Sequence, residues 1–323
     1  MLKIFVFRYH RKVLEDFIKT MTEDWSSPRN PEGREVMMRT AKISHVISIV
    51  SASLTNTLFV AYIIFRIWLG IEMKKQADLD PRLSIGLPHP AYFPYDTTKI
   101  KFFIPTWGAQ CIATFFCMTS YAAFDSFMSA MLLHICGQLE LVGLSFKELV
   151  NNHSNNSELE KKFGNIVQTH DKLNRLGKRI EDSFCFVLLF QMLICTLTFC
   201  FQGFGMISNL MGDSMGNVSI LEILFSIVYV FYTVLHLFVY CYVGDYLTVK
   251  STSISDSFYK SYWYKLPRQQ MKWFLFIEYR CQRPLTISAG KFCTFSRHLF
   301  LVILKTSVGY LSMLLAVRRD KIS

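Results

Sequence analysis

Cysteine and histidine have the widest chemical range among the side chains of this 323-residue chain, and their spacing argues against a metal or redox site. The nine cysteines include no pair with CxxC spacing, and His134 with Cys136 offers too few ligands for a structural zinc site. The cysteines fall in apolar segments or in segments that we predict to be cytosolic, where disulfides are rare. We therefore expect no metal, no cofactor and no disulfide framework.

Enzyme motifs are also missing from the pattern of the chain. It has no phosphate-binding Walker loop and no HExxH zinc motif. Gly203-Phe-Gly205 lacks the third glycine of a dinucleotide-binding fingerprint, and helix packing or a turn explains this pair better. The sequence does not predict an enzyme.

A polar stripe runs along the last apolar segment, residues 292–317. On a helix with about 100° per residue, the side chains of this stripe lie within about 60° of one another. They are Lys291, Thr294, His298, Lys305, Gly309 and Ser312. The stripe could line a water path, or it could be a helix-to-helix contact in which Gly309 permits close approach. The sequence favours neither interpretation over the other.

A second group of residues, aromatic and small polar, lies in the predicted outer halves of the first two membrane spans. Its members are Thr57, Phe59, Tyr62, Trp107, Cys111 and Phe115. Such a mixture suits a pocket for a small volatile molecule. Each of these aromatic side chains has the alternative of facing lipid or belonging to an interfacial belt.

The elements that must position these residues are apolar helices long enough to cross a bilayer. Hydrophobic residues make up 51% of the chain, which has 29 Phe and a mean hydropathy of +0.27, more than a globular core requires. Charge-free spans lie at 43–65, 102–124, 183–212 and 223–244, and a crossing needs about 20 apolar residues. A fifth span, 292–317, contains Arg297, His298 and Lys305 and should pack inside an assembly. The sequence predicts an all-α integral membrane bundle with about five transmembrane helices.

The distribution of cations predicts the orientation of this bundle. Segments 1–42, 138–182 and 244–291 hold 24 of the 35 Lys and Arg residues, whereas 70–101, 211–219 and the tail from 318 hold 8. The cation-rich side should be cytoplasmic, which puts the N-terminus inside and the C-terminus outside the cell. The formal net charge of +11 is thereby explained by topology, and no nucleic-acid partner is expected.

The same count divides the chain into segments by membrane side. We predict a cytoplasmic segment at 1–42, transmembrane helices 1 and 2 at 43–137 with an outer loop at 70–101, and a cytoplasmic loop with helix extensions at 138–182. Transmembrane helices 3 and 4 follow at 183–243, a cytoplasmic anchor region at 244–291, transmembrane helix 5 at 292–317 and an extracellular tail at 318–323.

The C-terminal third carries the most specific pattern. Tyr240-Cys241 precedes Gly244-Asp245, and Ser288-Ala289-Gly290-Lys291 is followed by Phe295 and by Leu304-Lys305-Thr306-Ser307. In spacing and order this run resembles the insect odorant receptors. Upstream positions such as Asp24-Trp25 and His170 extend the resemblance over nearly the whole chain.

The resemblance implies a seven-helix receptor whose odorant-specific subunit joins a shared olfactory co-receptor. Such heterotetramers are cation channels in the plasma membrane of olfactory sensory neurons, with the last helix lining the pore. Residues of the last segment, Thr294, His298, Lys305, Gly309, Tyr310 and Ser312, would then serve as pore, gate or subunit contacts. The chain departs from the family pattern at Gly309, where a serine is usual, and at Asp245, where a glutamate is usual.

The resemblance further implies that the chain is surrounded by membrane lipid and detects small volatile molecules. It also implies an N-terminally shortened receptor, because five spans are found where the family has seven. A non-conducting splice form or an incomplete gene model is therefore an alternative. A gustatory receptor relative stays open, and a G-protein-coupled receptor fits less well because the cation count puts the N-terminus inside.

Overall fold

The chain folds almost entirely into helices. The computed structural model describes residues 2–27, 30–73, 87–89, 91, 93–96, 99–151, 156–211, 220–265 and 268–322. The helices are α1 (Leu2–Tyr9), α2 (Arg11–Ser26), α3 (Pro31–Met73), α4 (Ile100–Asn151), α5 (Asn156–Met211), α6 (Ile220–Tyr259), α7 (Arg268–Cys281) and α8 (Arg297–Ile322). A 3-10 turn at Trp263–Lys265 precedes α7, and the strands β1 (Ser288–Ala289) and β2 (Cys293–Thr294) precede α8. The predicted all-α membrane fold is confirmed, with one short hairpin added to it.

Four of the described helices are long and apolar enough to cross a membrane. Their candidate spans are Pro31–Ile71, Ile100–Leu149, Ser157–Ile207 and Leu221–Tyr259, which lie on α3, α4, α5 and α6. At about 1.5 Å per residue, the 52 residues of α4 extend for about 78 Å, far beyond the roughly 30 Å of a hydrocarbon core. The long helices must therefore continue outside the membrane, as the sequence predicts for α4.

The fifth predicted span differs from the others. Only its part from Arg297 onward is helical, as α8, and α8 is not among the four candidate spans found in the described residues. Phe292 lies in a turn, and Thr294 lies on β2. The expectation of a helix beginning at residue 292 is therefore wrong by five residues, because the hairpin occupies the start of that segment.

Helix α4 forms the centre of the bundle. In the apolar 18-residue stretch that defines its candidate span, 72% of residues are buried, against 11% for the corresponding stretch of α3 and 17% for that of α6. The core extends along the second half of α4, where Met128, Leu133, Leu139 and Phe146 are fully buried. The first half of α4 instead exposes large apolar side chains such as Phe116, which a surrounding bilayer would cover.

The hairpin between α7 and α8 is attached to α5 by a backbone hydrogen bond. Ser288 pairs with Thr294 and Ala289 with Cys293 in antiparallel register. Gly290 and Lys291 both have positive φ, 58° and 64°, which a turn of this kind requires and which glycine adopts without strain. The Gly290 amide donates to the Cys185 carbonyl oxygen of α5 at 2.9 Å. The start of α8 is thereby fixed against the bundle.

The predicted segment boundaries at 42, 137, 182 and 243 all fall inside continuous helices, α3, α4, α5 and α6. These boundaries mark expected membrane sides, so a helix that crosses them is compatible with the prediction. The predicted outer loop at 70–101 lies mostly outside the described residues.

Candidate functional site

The structure brings part of the predicted pocket together between α3, α4 and the segment that precedes α4. The rings of Phe59 and Phe115 are in contact, with centroids 5.6 Å apart. The Tyr62 hydroxyl donates to the Pro88 carbonyl oxygen at 2.7 Å, and its ring stacks on His89. Trp107 and Cys111 are half-buried, whereas Thr57 is exposed. Of the six predicted residues, the structure therefore brings Phe59 and Phe115 into direct contact.

Helix α6 adds aromatic residues to this region that the sequence analysis did not select. Phe225 stacks on Phe65 of α3, with centroids 4.9 Å apart, and lies 6.3 Å from the ring of Tyr62. Tyr229 stacks on Phe225 one turn further along α6. These rings pack against one another between α3 and α6.

A cavity of about 440 Å³ lies beside this aromatic group, between α3, α4 and α6. None of the six predicted pocket residues lines it. Its α3 wall is Lys42, Ile43, Val46, Ile47, Val50, Ser51 and Leu54, its α4 wall is Asp125, Ser126 and Ser129, and its α6 wall is Tyr232, Leu235, His236, Phe238, Val239, Tyr240 and Tyr242. Apolar walls with a few convergent polar groups are typical of small-molecule sites, and the volume lies in their usual range.

Asp125 is the buried centre of the polar groups at the cavity. Its Oδ1 accepts a hydrogen bond from Lys3 Nζ at 2.6 Å, and its Oδ2 lies 3.0 Å from Nε2 of His236. The Tyr240 hydroxyl also donates to Oδ1. A carboxylate at this depth is costly unless charged and hydrogen-bonding partners surround it. The three partners therefore hold Asp125 in place between α1, α4 and α6.

The network continues from Asp125 toward α5. Nζ of Lys3 lies 3.3 Å from the ring centroid of Tyr121, a cation–π contact. The Tyr121 hydroxyl lies 3.0 Å from Nε2 of His236 and accepts a hydrogen bond from Gln191 of α5. Burial lowers the pKa of Lys3, and the ion pair with Asp125 opposes this shift. Four helices thus meet at one set of polar side chains.

Sequence reasoning missed this network, although one signal for it was present. Asp125 interrupts an apolar run and His236 lies within a charge-free span. Ionisable side chains within membrane helices are costly and usually have partners, so such residues are candidates for functional positions. What the sequence does not give is the spatial proximity of Asp125 and His236, which are far apart in the chain.

The polar stripe of the last segment lies at the surface of the chain. Thr294 is exposed on β2, and His298, Lys305, Gly309, Tyr310 and Ser312 are exposed on α8. The opposite face of α8 contacts α5, where Ile303 and Ser307 are buried. The stripe, from His298 onward, is therefore available to a partner or to water.

Ion pairs fix both ends of the connection into α8. Arg297 Nε donates to Asp245 Oδ2 of α6 at 2.6 Å, and Lys291 Nζ lies 2.9 Å from Asp182 of α5. The hydrogen bond to Asp182 raises the pKa of Lys291. These contacts join the residues of the C-terminal sequence pattern to the long helices. Across the described ranges of the chain, no three His, Cys, Asp or Glu side chains are grouped so that they could hold a metal ion.

Comparison with known proteins gives one consistent family. Residues 1–308 match the model of the family described as 7tm Odorant receptor. Odorant receptor 13a of Drosophila melanogaster is 26% identical over 258 residues, which are 72% of this chain and 58% of that protein. The odorant receptor coreceptor of Ooceraea biroi is 28% identical over 152 residues, which are 47% of this chain and 30% of that protein.

A solved structure shares the fold. The insect olfactory receptor OR5 from Machilis hrabei superposes with a TM-score of 0.80 and 15% identity, covering 98% of this chain and 77% of that one. Its complex with eugenol superposes with a TM-score of 0.72, covering 93% of this chain and 74% of that one. The chain thus spans little more than half of the first relative and about three quarters of the solved structure.

Proposed function

The chain belongs to the 7tm odorant receptor family, a family of receptors and not of enzymes, and we propose that it is the odorant-binding subunit of a ligand-gated cation channel. The channel is formed with the shared olfactory co-receptor as a heterotetramer and responds to small volatile molecules. The observation that carries the proposal is the cavity of about 440 Å³ inside the helix bundle.

The cavity has the form that a small apolar ligand needs. Its α3 wall is aliphatic, and the side chains of Val46 and Val50 are also exposed at the bundle surface, at 58% and 41%. A molecule dissolved in lipid can therefore reach the cavity between α3 and α6. The related OR5 is solved in complex with eugenol, a small organic molecule, which supports this class of ligand.

The exposed stripe of α8 supports assembly with other subunits. Contact of His298 and Lys305 with lipid is energetically costly, and both side chains are exposed on the single chain. This cost is avoided if they line a water-filled pore or a subunit contact. Several co-receptors are among the relatives, and family members of that kind are the natural partner for this face. We place the α8 stripe at the pore of the assembled channel.

The cation count gives the orientation of this channel. The N-terminus, residues 138–182 and the anchor region 244–291 lie in the cytosol, and the C-terminus lies outside the cell. The site of action is the plasma membrane of olfactory sensory neurons.

Gating follows from a difference in affinity between two conformations. A ligand that fits the cavity better when the channel is open shifts the population toward the open state. A tenfold shift requires about 1.4 kcal/mol of differential binding, which burial of a few methylene groups supplies. No catalytic group takes part in this mechanism.

The test is current through the channel in cells that coexpress this chain and the co-receptor. We expect a broad odorant panel to evoke cation current, and the variant Val50→Trp, which fills the cavity, to abolish it or to raise the half-maximal concentration at least about tenfold. Val60→Trp is the matched control, because Val60 lies on the same helix, is exposed to a similar degree and does not line the cavity.

Two results would contradict the proposal. A correctly assembled surface complex that responds to no odorant would remove the ligand-gated function. Equal responses of Val50→Trp and the wild type would exclude this cavity as the binding site.

A further inference from the structure

Two serine hydroxyls face the cavity without a hydrogen-bond partner in the described part of the chain. Ser126 and Ser129 line its α4 wall next to Asp125, and Ser129 is only 4% exposed. Serine and threonine hydroxyls in helices often donate to the carbonyl oxygen one turn earlier, as the Thr233 hydroxyl does on α6. These two hydroxyls do not, so both remain free to bind a molecule in the cavity.

Several of the other polar groups of the cavity are already engaged, whereas the hydroxyls of Ser51 and Tyr242, like those of Ser126 and Ser129, have no hydrogen-bond partner in the described part of the chain. Asp125 is bound by Lys3, His236 and Tyr240, and the Tyr232 hydroxyl lies 3.3 Å from that of Thr55. Lys42 is exposed at the rim, where water solvates it. Among these unpaired hydroxyls, Ser129 is the most buried, and it lies with Ser126 on the α4 wall next to Asp125.

A buried hydroxyl without a partner is costly, and a ligand can remove that cost. Two serine hydroxyls one turn apart can bind the same ligand hydroxyl. One serine donates a hydrogen bond to the ligand oxygen, and the other accepts a hydrogen bond from the ligand hydrogen. A carbon chain would satisfy the aliphatic wall formed by Ile47, Val50 and Leu54. The cavity thus combines one hydroxyl-binding end with one hydrocarbon-binding side.

We propose that the cavity selects small, largely hydrocarbon molecules that carry one hydroxyl group, and that Ser129 recognises this group. The inference rests on the proposed function and specifies the ligand class of the same site. Sites built to hydrogen-bond a ligand hydroxyl discriminate strongly against the analogue that lacks it, because their own polar groups are then left unpaired.

The test compares two probes of nearly equal shape, 2-phenylethanol and propylbenzene, which differ by a hydroxyl in place of a methyl group. Their Kd values are measured from the ligand-dependent rise in unfolding temperature of the 323-residue chain in lipid nanodiscs. Both probes also partition into lipid, so the quantity compared is the ratio of Kd between variant and wild type for each probe, from which partitioning cancels.

We expect Ser129→Ala to weaken 2-phenylethanol about tenfold, which corresponds to about 1.4 kcal/mol, and to change propylbenzene less than about twofold. The double variant Ser126→Ala/Ser129→Ala should remove the preference for the alcohol entirely. Ser48→Ala is the matched control, since this hydroxyl donates to the Ser44 carbonyl of its own helix and does not line the cavity.

The outcomes separate the ligand class from the function. If the wild type binds both probes and Ser129→Ala changes neither or both equally, the selection for hydroxyl groups is wrong while the receptor function stands. If the folded wild type binds neither probe, and Val50→Trp likewise leaves odorant-evoked current unchanged, the cavity itself is excluded as the ligand site.

Discussion

Asp125 is the residue whose replacement should disturb the bundle most directly. Asp125→Asn keeps the shape of the side chain but removes the charge that faces Lys3 and His236. The ammonium group of Lys3, whose side chain is 12% exposed, would then be buried without a counter-charge. Breaking a buried pair in this way costs about 3–5 kcal/mol. We expect a large drop in the unfolding temperature of the chain in detergent.

Two further variants isolate the ion pair from other effects. Lys3→Met combined with Asp125→Asn removes both charges, and the double variant should recover much of the stability lost by Asp125→Asn alone. Glu158→Gln is the control, because the Glu158–Lys162 pair is exposed and contributes too little to measure. Additive losses in the double variant would show that Lys3 and Asp125 do not interact.

The composition of this site could be predicted only in part from the sequence. Phe59, Tyr62 and Phe115 were selected because aromatic residues near the ends of apolar spans follow a pattern, but none of them lines the cavity. The Lys3–Asp125 contact joins residues 122 positions apart, and nothing in local periodicity specifies such a pair. Tertiary packing alone decides which ionisable groups within the spans meet.

Helix α6 and the hairpin approach each other at Gly244, and this contact positions the start of α8. A Cβ atom at residue 244 would lie 2.7 Å from both the Cβ atom and the carbonyl oxygen of Phe295. Backbone atoms cannot move away cheaply, so Gly244→Ala must displace the hairpin. We expect a loss of about 1–3 kcal/mol in the free energy of unfolding, and reduced odorant-evoked current at equal surface expression.

Gly164→Ala on α5 is the control for the variant at Gly244. Apart from the neighbouring backbone of its own helix, no atom lies within 4 Å of a Cβ built at Gly164, so alanine there should stabilise the helix by about 0.5–1 kcal/mol through its better helix propensity. Unchanged stability and current in Gly244→Ala would mean that the contact with Phe295 does not fix α8.

The long helices were predictable from the sequence, whereas the hairpin was not. Apolar runs of more than 20 residues have few alternatives to a membrane helix, so α3 to α6 follow from hydropathy. The two strands have two residues each, and their formation depends on the hydrogen bond of Gly290 to Cys185 and on the Ser288 hydroxyl, which donates to Glu181 at 2.6 Å. Such contacts with a distant helix leave no periodic signal, which is why the start of α8 was misplaced.

One half of the molecule contains the packed core, and the other half exposes large apolar side chains at its surface. The core lies along the second half of α4, near α2 and the hairpin, while Phe190, Phe201 and Phe231 are exposed on α5 and α6. Surfaces of this kind are stable only against lipid or other subunits. The well-packed half includes Ile277 and Cys281 of α7, which belongs to the cation-rich segment 244–291 of the sequence.

The cation distribution makes a prediction about the whole chain that can be tested without a ligand. An epitope fused before Met1 should be detected by antibody only after the cells are permeabilised, and an epitope fused after Ser323 should be detected on intact cells. The physical reason is that Lys and Arg in short connections are retained on the cytoplasmic side, and the segments that we predict to be cytoplasmic hold 24 of these residues, against 8 in those predicted to lie outside. Both epitopes appearing on the same side of the membrane would require an even number of crossings, and α8 would then be neither a membrane span nor the pore helix.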